Sequence, residues 1–138
     1  MNKSLLAISK SEVQEVFSYW ETGQPDKFFN RLTEDFEWTV MGTHPLAGVF
    51  KGKDAYLNGA FNRLSKVLKD DVRLKVIAIY VDGQTAIVEL KSFMTAKYGH
   101  PYHNSYCWIV HFDDEKQISA ITAYLDSALL KQILEENE

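Results

Sequence analysis

Several residues in this sequence carry side chains capable of acid, base or nucleophilic chemistry, and their spacing decides which of them can work together. The run "SYCWIVHF" (105 to 112) holds a thiol and an imidazole four residues apart. In a strand, alternate residues share a face, so His103, Ser105, Cys107, Ile109 and His111 fall on one side. Asn104, Tyr106, Trp108, Val110 and Phe112 fall on the other. A cysteine nucleophile needs a basic partner that lowers its pKa, and none is placed on the Trp108 side, so Cys107 is expected to be a packing residue. "HPYH" sets His100 and His103 three apart, but no further histidine or carboxylate accompanies them, and no metal site is expected. His44, in "GTHP", either pins a turn through a backbone hydrogen bond or shuttles a proton at the mouth of a pocket.

Asn104, Tyr106 and Trp108 grade from polar to apolar along one face, which suits an organic ligand with one polar end. Eighteen aromatic residues, three Trp, seven Tyr and eight Phe, are generous for 138 residues, and Trp38, Tyr56 and Tyr124, with Val40 on the Trp38 face, are further candidate walls. Asp126 ends an apolar strand just before a helix. It serves there as a helix cap, or, if desolvated among Trp38, Tyr106, Trp108 and Tyr124, as a proton-transferring acid whose pKa burial would raise.

The elements that must position these residues are readable. Ser9 and Glu12 have capping-box spacing, with Ser11 and Gln14 as a second register, ahead of Val13, Val16, Phe17 and Trp20 at helical intervals; Gly23 stops the helix. Pro25 opens a short helix carrying Phe28, Phe29 and Leu32. Phe36, Trp38 and Val40 then alternate as a strand, and a third helix is expected from about 53 to 69. The second half is strand after strand: 72–81 and 85–97 about the turn "DGQ", then 102–112 and 117–126, followed by a terminal helix with Leu129, Leu130 and Ile133 inward. Helices followed by a meander give an α+β fold, and apolar residues on both faces of the long strands predict a homodimer through the outer sheet face.

Composition narrows the partners. A net charge of −4 without a basic cluster argues against nucleic acid and against an anionic membrane. A single cysteine excludes an intrachain disulfide and fits a reducing cytoplasm. "MNKSLLAISK" lacks the features of a leader, and no run approaches a membrane span. No phosphate cradle or cofactor motif is present, so no cofactor is expected. One domain covering 1–138 is expected.

The order of elements resembles the nuclear transport factor 2-like superfamily over nearly the whole chain. Within it, "EWTVMGTHPLAGVFKGKDAY" and "ISAITAYLDSALL" resemble the SnoaL-like branch, related to ketosteroid isomerases. The resemblance implies a cone-shaped barrel, a strongly curved and mostly antiparallel sheet wrapped around three N-terminal helices, with a ligand pocket inside and dimers through the outer face. It also places Val16, Val40 and Trp108 where ketosteroid isomerases keep a tyrosine, a base and a protonated acid, which argues against that apparatus. The acid/base aspartate of SnoaL-like cyclases matches Asp126, with His44 as a candidate assistant. Function is therefore expected to be cofactor-independent isomerisation, cyclisation or hydration of a mostly apolar molecule. The alternative is a non-catalytic ligand-binding or dimeric accessory module.

Overall fold

The computed structural model describes residues 6–138, and residues 1–5 of the opening stretch lie outside the described residues. Helix α1 (Lys10–Glu21) begins as its sequence dictates: the Ser9 hydroxyl accepts from the Glu12 amide and the Glu12 carboxylate accepts from the Ser9 amide. Its buried stripe is Val13, Val16, Phe17 and Trp20, and Pro25 sits in the first turn of α2 (Pro25–Phe29). These two helices pack through Phe17, Trp20, Phe28 and Phe29 at tilted to edge-on angles, with ring centroids 5.1–5.6 Å apart. Burying each of these rings contributes about 2 kcal/mol from apolar area alone.

The sheet has six strands in the order β2 (Gly48–Lys51), β1 (Leu32–Val40), β8 (Ile118–Leu125), β7 (Ser105–Phe112), β4 (Thr85–Ser92) and β3 (Leu74–Asp82). All neighbours run antiparallel except β1 and β8. Strands β2 and β3 end the sheet, so the expected cone is not closed into a barrel by hydrogen bonds. The remaining strands, β5 (Met94–Thr95) and β6 (Pro101–Tyr102), form a separate two-stranded ribbon. The two longer strands expected at 85–97 and 102–112 break around buried Ser92. Its hydroxyl donates to the Tyr102 carbonyl at 2.9 Å and accepts from the Asn104 amide at 2.8 Å.

Two other expectations change. The third helix ends at Ser65 rather than near 69. It is built from α3 (Lys53–Tyr56), a π-helical turn (Leu57–Phe61) and α4 (Asn62–Ser65). In β3 the register slips between Val76 and Ala78, so simple alternation fails there: Val76 pairs inward with Leu90, whereas Ala78 and Tyr80 face out opposite Glu89 and Ile87. A bulge of this kind turns one extra residue, here exposed Ile77, out of the ladder. The chain closes with α5 (Ser127–Asn137), which lays Leu130, Ile133 and Leu134 into the core.

Candidate functional site

Between the inner sheet face and the helices lies a cavity of about 60 Å³. Its lining draws Trp20 from α1, Trp38 and Val40 from β1, Tyr56 from α3, Ala60 and Phe61 from the π turn, and Leu64 from α4. The ribbon and sheet add Tyr102, Tyr106, Trp108, Ala123 and Leu125. Tyr106 and Trp108 share one face, as strand alternation predicts, and Trp108 is 4% exposed. Around it the rings are interlocked: Trp108 meets Trp38 at 5.1 Å and 79°, and Trp38 is stacked flat on Tyr56 at 3.8 Å and 2°.

Polar groups in this wall are few. The Tyr106 hydroxyl lies 2.9 Å from that of Tyr102, and Asn104 Nδ2 donates to the Tyr102 hydroxyl at 3.1 Å. Asn104 is held by four bonds, since its Oδ1 accepts from the Ser105 and Asp126 amides and its Nδ2 also donates to the Asp126 carbonyl. That fixes the amide's orientation and makes it a donor to Tyr102. Two phenols share one hydrogen bond, so one hydroxyl proton of the pair remains over. Burial pushes the Tyr106 phenol well above its ordinary value, with Tyr102 adding to the effect. It raises Tyr102 too, against the opposing hydrogen bonds from Tyr106 and Asn104. Burial likewise raises Tyr56. All three are protonated donors at neutral pH.

The indole nitrogens of Trp20, Trp38 and Trp108 are buried, and no protein atom accepts from them. An orphaned buried donor costs about 1–3 kcal/mol, so three in one wall call for an explanation.

The structure places four of the sequence-based site residues outside the cavity lining. Tyr124 is 44% exposed on the outer face opposite Cys107, because Trp108 pairs with Ala123 and parity then sends Ile121, Ala123 and Leu125 inward. Asp126 does not line the cavity; its carboxylate accepts from the Leu129 amide at 3.2 Å and caps α5. His44 is buried, donating from Nε2 to the Met41 carbonyl at 3.0 Å and accepting at Nδ1 from the Leu46 amide at 3.1 Å, so both nitrogens are engaged in the turn. Burial lowers its pKa, opposed by the Met41 carbonyl, and the ring is neutral. Asn104 stands behind the wall, as the clamp just described. Tyr102 was not singled out from the sequence, although it opens the expected strand 102–112 with the parity of Asn104, Tyr106 and Trp108.

Elsewhere, His100 faces Gln132 and His103 packs on Phe93. Among the described residues no group of three potential metal ligands occurs, and no helix is long and apolar enough to cross a membrane. A wider surface groove lined by Lys69, Asp70, Asp71, Arg73 and Lys75 is open and of mixed charge.

Residues 13–121 match the family model described as the SnoaL-like domain. The chain is 32% identical over 114 residues to the dimerizing cyclase phiC of a fungal species, covering 80% of this chain and 50% of that protein. It is 27% identical over 125 residues to the dimerizing cyclase tstC of Talaromyces stipitatus, covering 80% and 55%. It thus spans about half the length of the curated relatives it matches. Among solved structures, an NTF2-like protein of Burkholderia thailandensis superposes with a TM-score of 0.76 at 21% identity, over 88% of this chain and 93% of that one. TerC, co-crystallized with polyporic acid, superposes with 0.72 at 16% identity, over 89% and 95%. At such identities these two structures establish the NTF2-like fold.

Proposed function

From the premise that this chain belongs to the SnoaL-like domain family, we propose that it is a cyclase or isomerase acting on a small organic molecule held in the aromatic cavity. The supporting observation is the Tyr106–Tyr102 pair: a spare phenolic proton, backed by the Asn104 amide, inside a wall otherwise made of apolar and aromatic groups. Such a pair donates to a carbonyl oxygen and stabilises the negative charge that grows there as the C=O π electrons move onto oxygen, whether a water molecule takes the proton of the adjacent carbon or a nucleophilic carbon of the same molecule adds to the carbonyl and closes a ring. The low polarity of the wall strengthens that interaction. Two relatives named as cyclases favour this chemistry over other uses of the fold.

The cavity is small beside the roughly 300–1,000 Å³ of typical ligand pockets, so a substrate of ordinary size displaces part of the wall. The π turn is the natural place. π turns recur at functional sites, and its Leu57 and Phe61 are only partly buried. A non-catalytic binding module is the second reading, favoured by the capping and turn bonds that occupy Asp126 and His44.

Deuterium exchange next to the carbonyl, followed by NMR across a panel of small ketones and lactones, separates the two. The enzyme reading expects exchange that falls about 100-fold in Tyr102→Phe and in Tyr106→Phe. Absence of exchange across the panel, or equal rates in wild type and both variants, overturns it.

We further infer that a second copy of the chain covers the outer sheet face. Exposed Tyr80 and Ile87 form one row there with half-buried Ile109, beside Cys107 and exposed Tyr124. Light scattering is expected to find a dimer that Ile87→Lys converts to monomer. A wild-type monomer at micromolar concentration overturns this reading.

A further inference from the structure

The cavity wall holds a third hydroxyl, outside the Tyr102–Tyr106 pair. Tyr56 ends α3, and its ring is held on three sides: flat against Trp38 at 3.8 Å and 2°, edge-on to Phe50 at 6.0 Å and 83°, and tilted toward Phe29 at 6.1 Å and 53°. A ring clamped in this way leaves its para oxygen little freedom, because a tyrosine side chain has only two torsions. Among the described residues no protein group hydrogen-bonds that oxygen. It nevertheless keeps accessible surface, unlike the sealed nitrogens of Trp20, Trp38 and Trp108, although the residue is only 9% exposed. A buried tyrosine hydroxyl ordinarily finds a partner, and a phenylalanine would pack on Trp38 without the polar atom.

Two observations bracket the distance from this hydroxyl to the pair. Tyr56 makes no hydrogen bond to Tyr102 or Tyr106, whose own oxygens are 2.9 Å apart. Electrostatic influence still passes between them: burial raises the Tyr56 phenol with Tyr102 adding to the effect, and Tyr56 in turn adds to the rise of Tyr106. Burial as the leading cause also means that the surface left to the Tyr56 oxygen is interior. The two polar spots stand on different walls. Tyr56 belongs to the helical layer, beside Phe29 and Phe61, whereas Tyr106 belongs to β7 and meets Trp108 at 6.3 Å. They are near enough for one small molecule, and their placement on separate walls suits two ligand oxygens better than one.

We propose that the Tyr56 hydroxyl is a second ligand-contacting group and that the ligand carries two separate oxygen functions, a carbonyl at the Tyr102–Tyr106 pair and a further carbonyl or hydroxyl at Tyr56. This deepens the reading of the cavity as a substrate site and rests on it. A phenol donates to a carbonyl and accepts from a hydroxyl, so Tyr56 reads either group. A ligand with hydrocarbon at that point would shut the hydroxyl away from water unpaired, and the cost of doing so discriminates against it. Tyr56 is thus a specificity residue, and the Tyr102–Tyr106 pair supplies the proton for the reacting carbonyl.

Isotope labelling of tyrosine Cζ puts an NMR reporter beside each hydroxyl, and Tyr56→Phe identifies the Tyr56 signal by its loss. Titration with three probes of equal ring size tests the proposal: cyclohexanone carries one oxygen, cyclohexane-1,4-dione adds a second carbonyl, and 4-hydroxycyclohexanone adds a hydroxyl. At least one two-oxygen probe is expected to move the Tyr56 signal and to bind about tenfold more tightly than cyclohexanone, a difference of about 1.4 kcal/mol. That advantage is expected to vanish in Tyr56→Phe, which keeps the ring on Trp38 and removes only the oxygen. A gain for the dione alone or for the hydroxyketone alone identifies the group that Tyr56 reads. Equal affinity for all three probes, an advantage that survives Tyr56→Phe, or a loss in that variant shared equally by all three overturns the second oxygen while leaving a cavity that takes small organic molecules. Failure of all three to bind the wild type removes the substrate-site reading along with it.

Discussion

Two polar regions lie within a few residues of each other along the chain and are built on opposite rules. At the corner where β8 enters α5, and in the turn after β1, Asn104, Asp126 and His44 have their hydrogen bonds made by the protein. In the wall of the cavity next to them, three indoles, the Tyr56 hydroxyl and one proton of the Tyr102–Tyr106 pair are donors without such partners. The residues that look most reactive in the sequence are the satisfied ones. The residues that look like packing hold the unused hydrogen-bonding capacity. Satisfied polar groups make a corner rigid, and unsatisfied ones make a wall receptive.

Substitutions test this contrast. The largest stability effect is expected from Asn104→Ala, which strands Tyr102, the Ser105 and Asp126 amides and the Asp126 carbonyl; urea unfolding should show a loss of about 3 kcal/mol. A loss below half of that would mean the corner does not depend on its amide. His44→Leu comes next, at about 2 kcal/mol, because the Leu46 amide and the Met41 carbonyl lose their partner. It carries a pH signature. His44 is held neutral below its ordinary value of 6.5, so the unfolded chain takes up a proton first as pH falls. Wild-type stability from this group is therefore present above about pH 6.5 and declines below it, and the decline should be absent from the variant. The smallest effect is expected from Asp126→Asn, which keeps a capping oxygen and removes only the charge; unfolding free energy should change by less than about 0.5 kcal/mol, with turnover unaltered. A large loss of turnover there would return Asp126 to the catalytic role suggested by family resemblance.

Much of this was legible in the chain. The capping box, Pro25, the Asp-Gly hairpin and the order of elements carried the fold, and parity alone divided β7 between Trp108 and Cys107. The last strand misled because a large Tyr124 looks more like a pocket residue than Ala123 does. Yet a tryptophan as bulky as Trp108 requires a small neighbour across the ladder, and Ala123 is that neighbour. The β3 bulge left no mark in a run where both faces are apolar. Partner choice at Asp126 and His44 was undecided because capping and catalysis ask for the same residue types, and only the positions of the Leu129, Leu46 and Met41 backbone groups distinguish them.

The π turn between Tyr56 and Asn62 has a geometric consequence. Its bond from the Asn62 amide to the Leu57 carbonyl encloses one residue more than an α-helical turn, and each residue of an α-helix advances the side chains by about 100°. Within the turn, Gly59 lets Phe50 come so close that a β-carbon there would lie 2.5 Å from the ring. Tyr56 and Leu64 both line the cavity although eight α-helical residues would set them about 80° apart, and the wide turn absorbs that difference. Deleting a single residue from this turn would close it to α-helical bonding and keep Leu64 on the face of Tyr56.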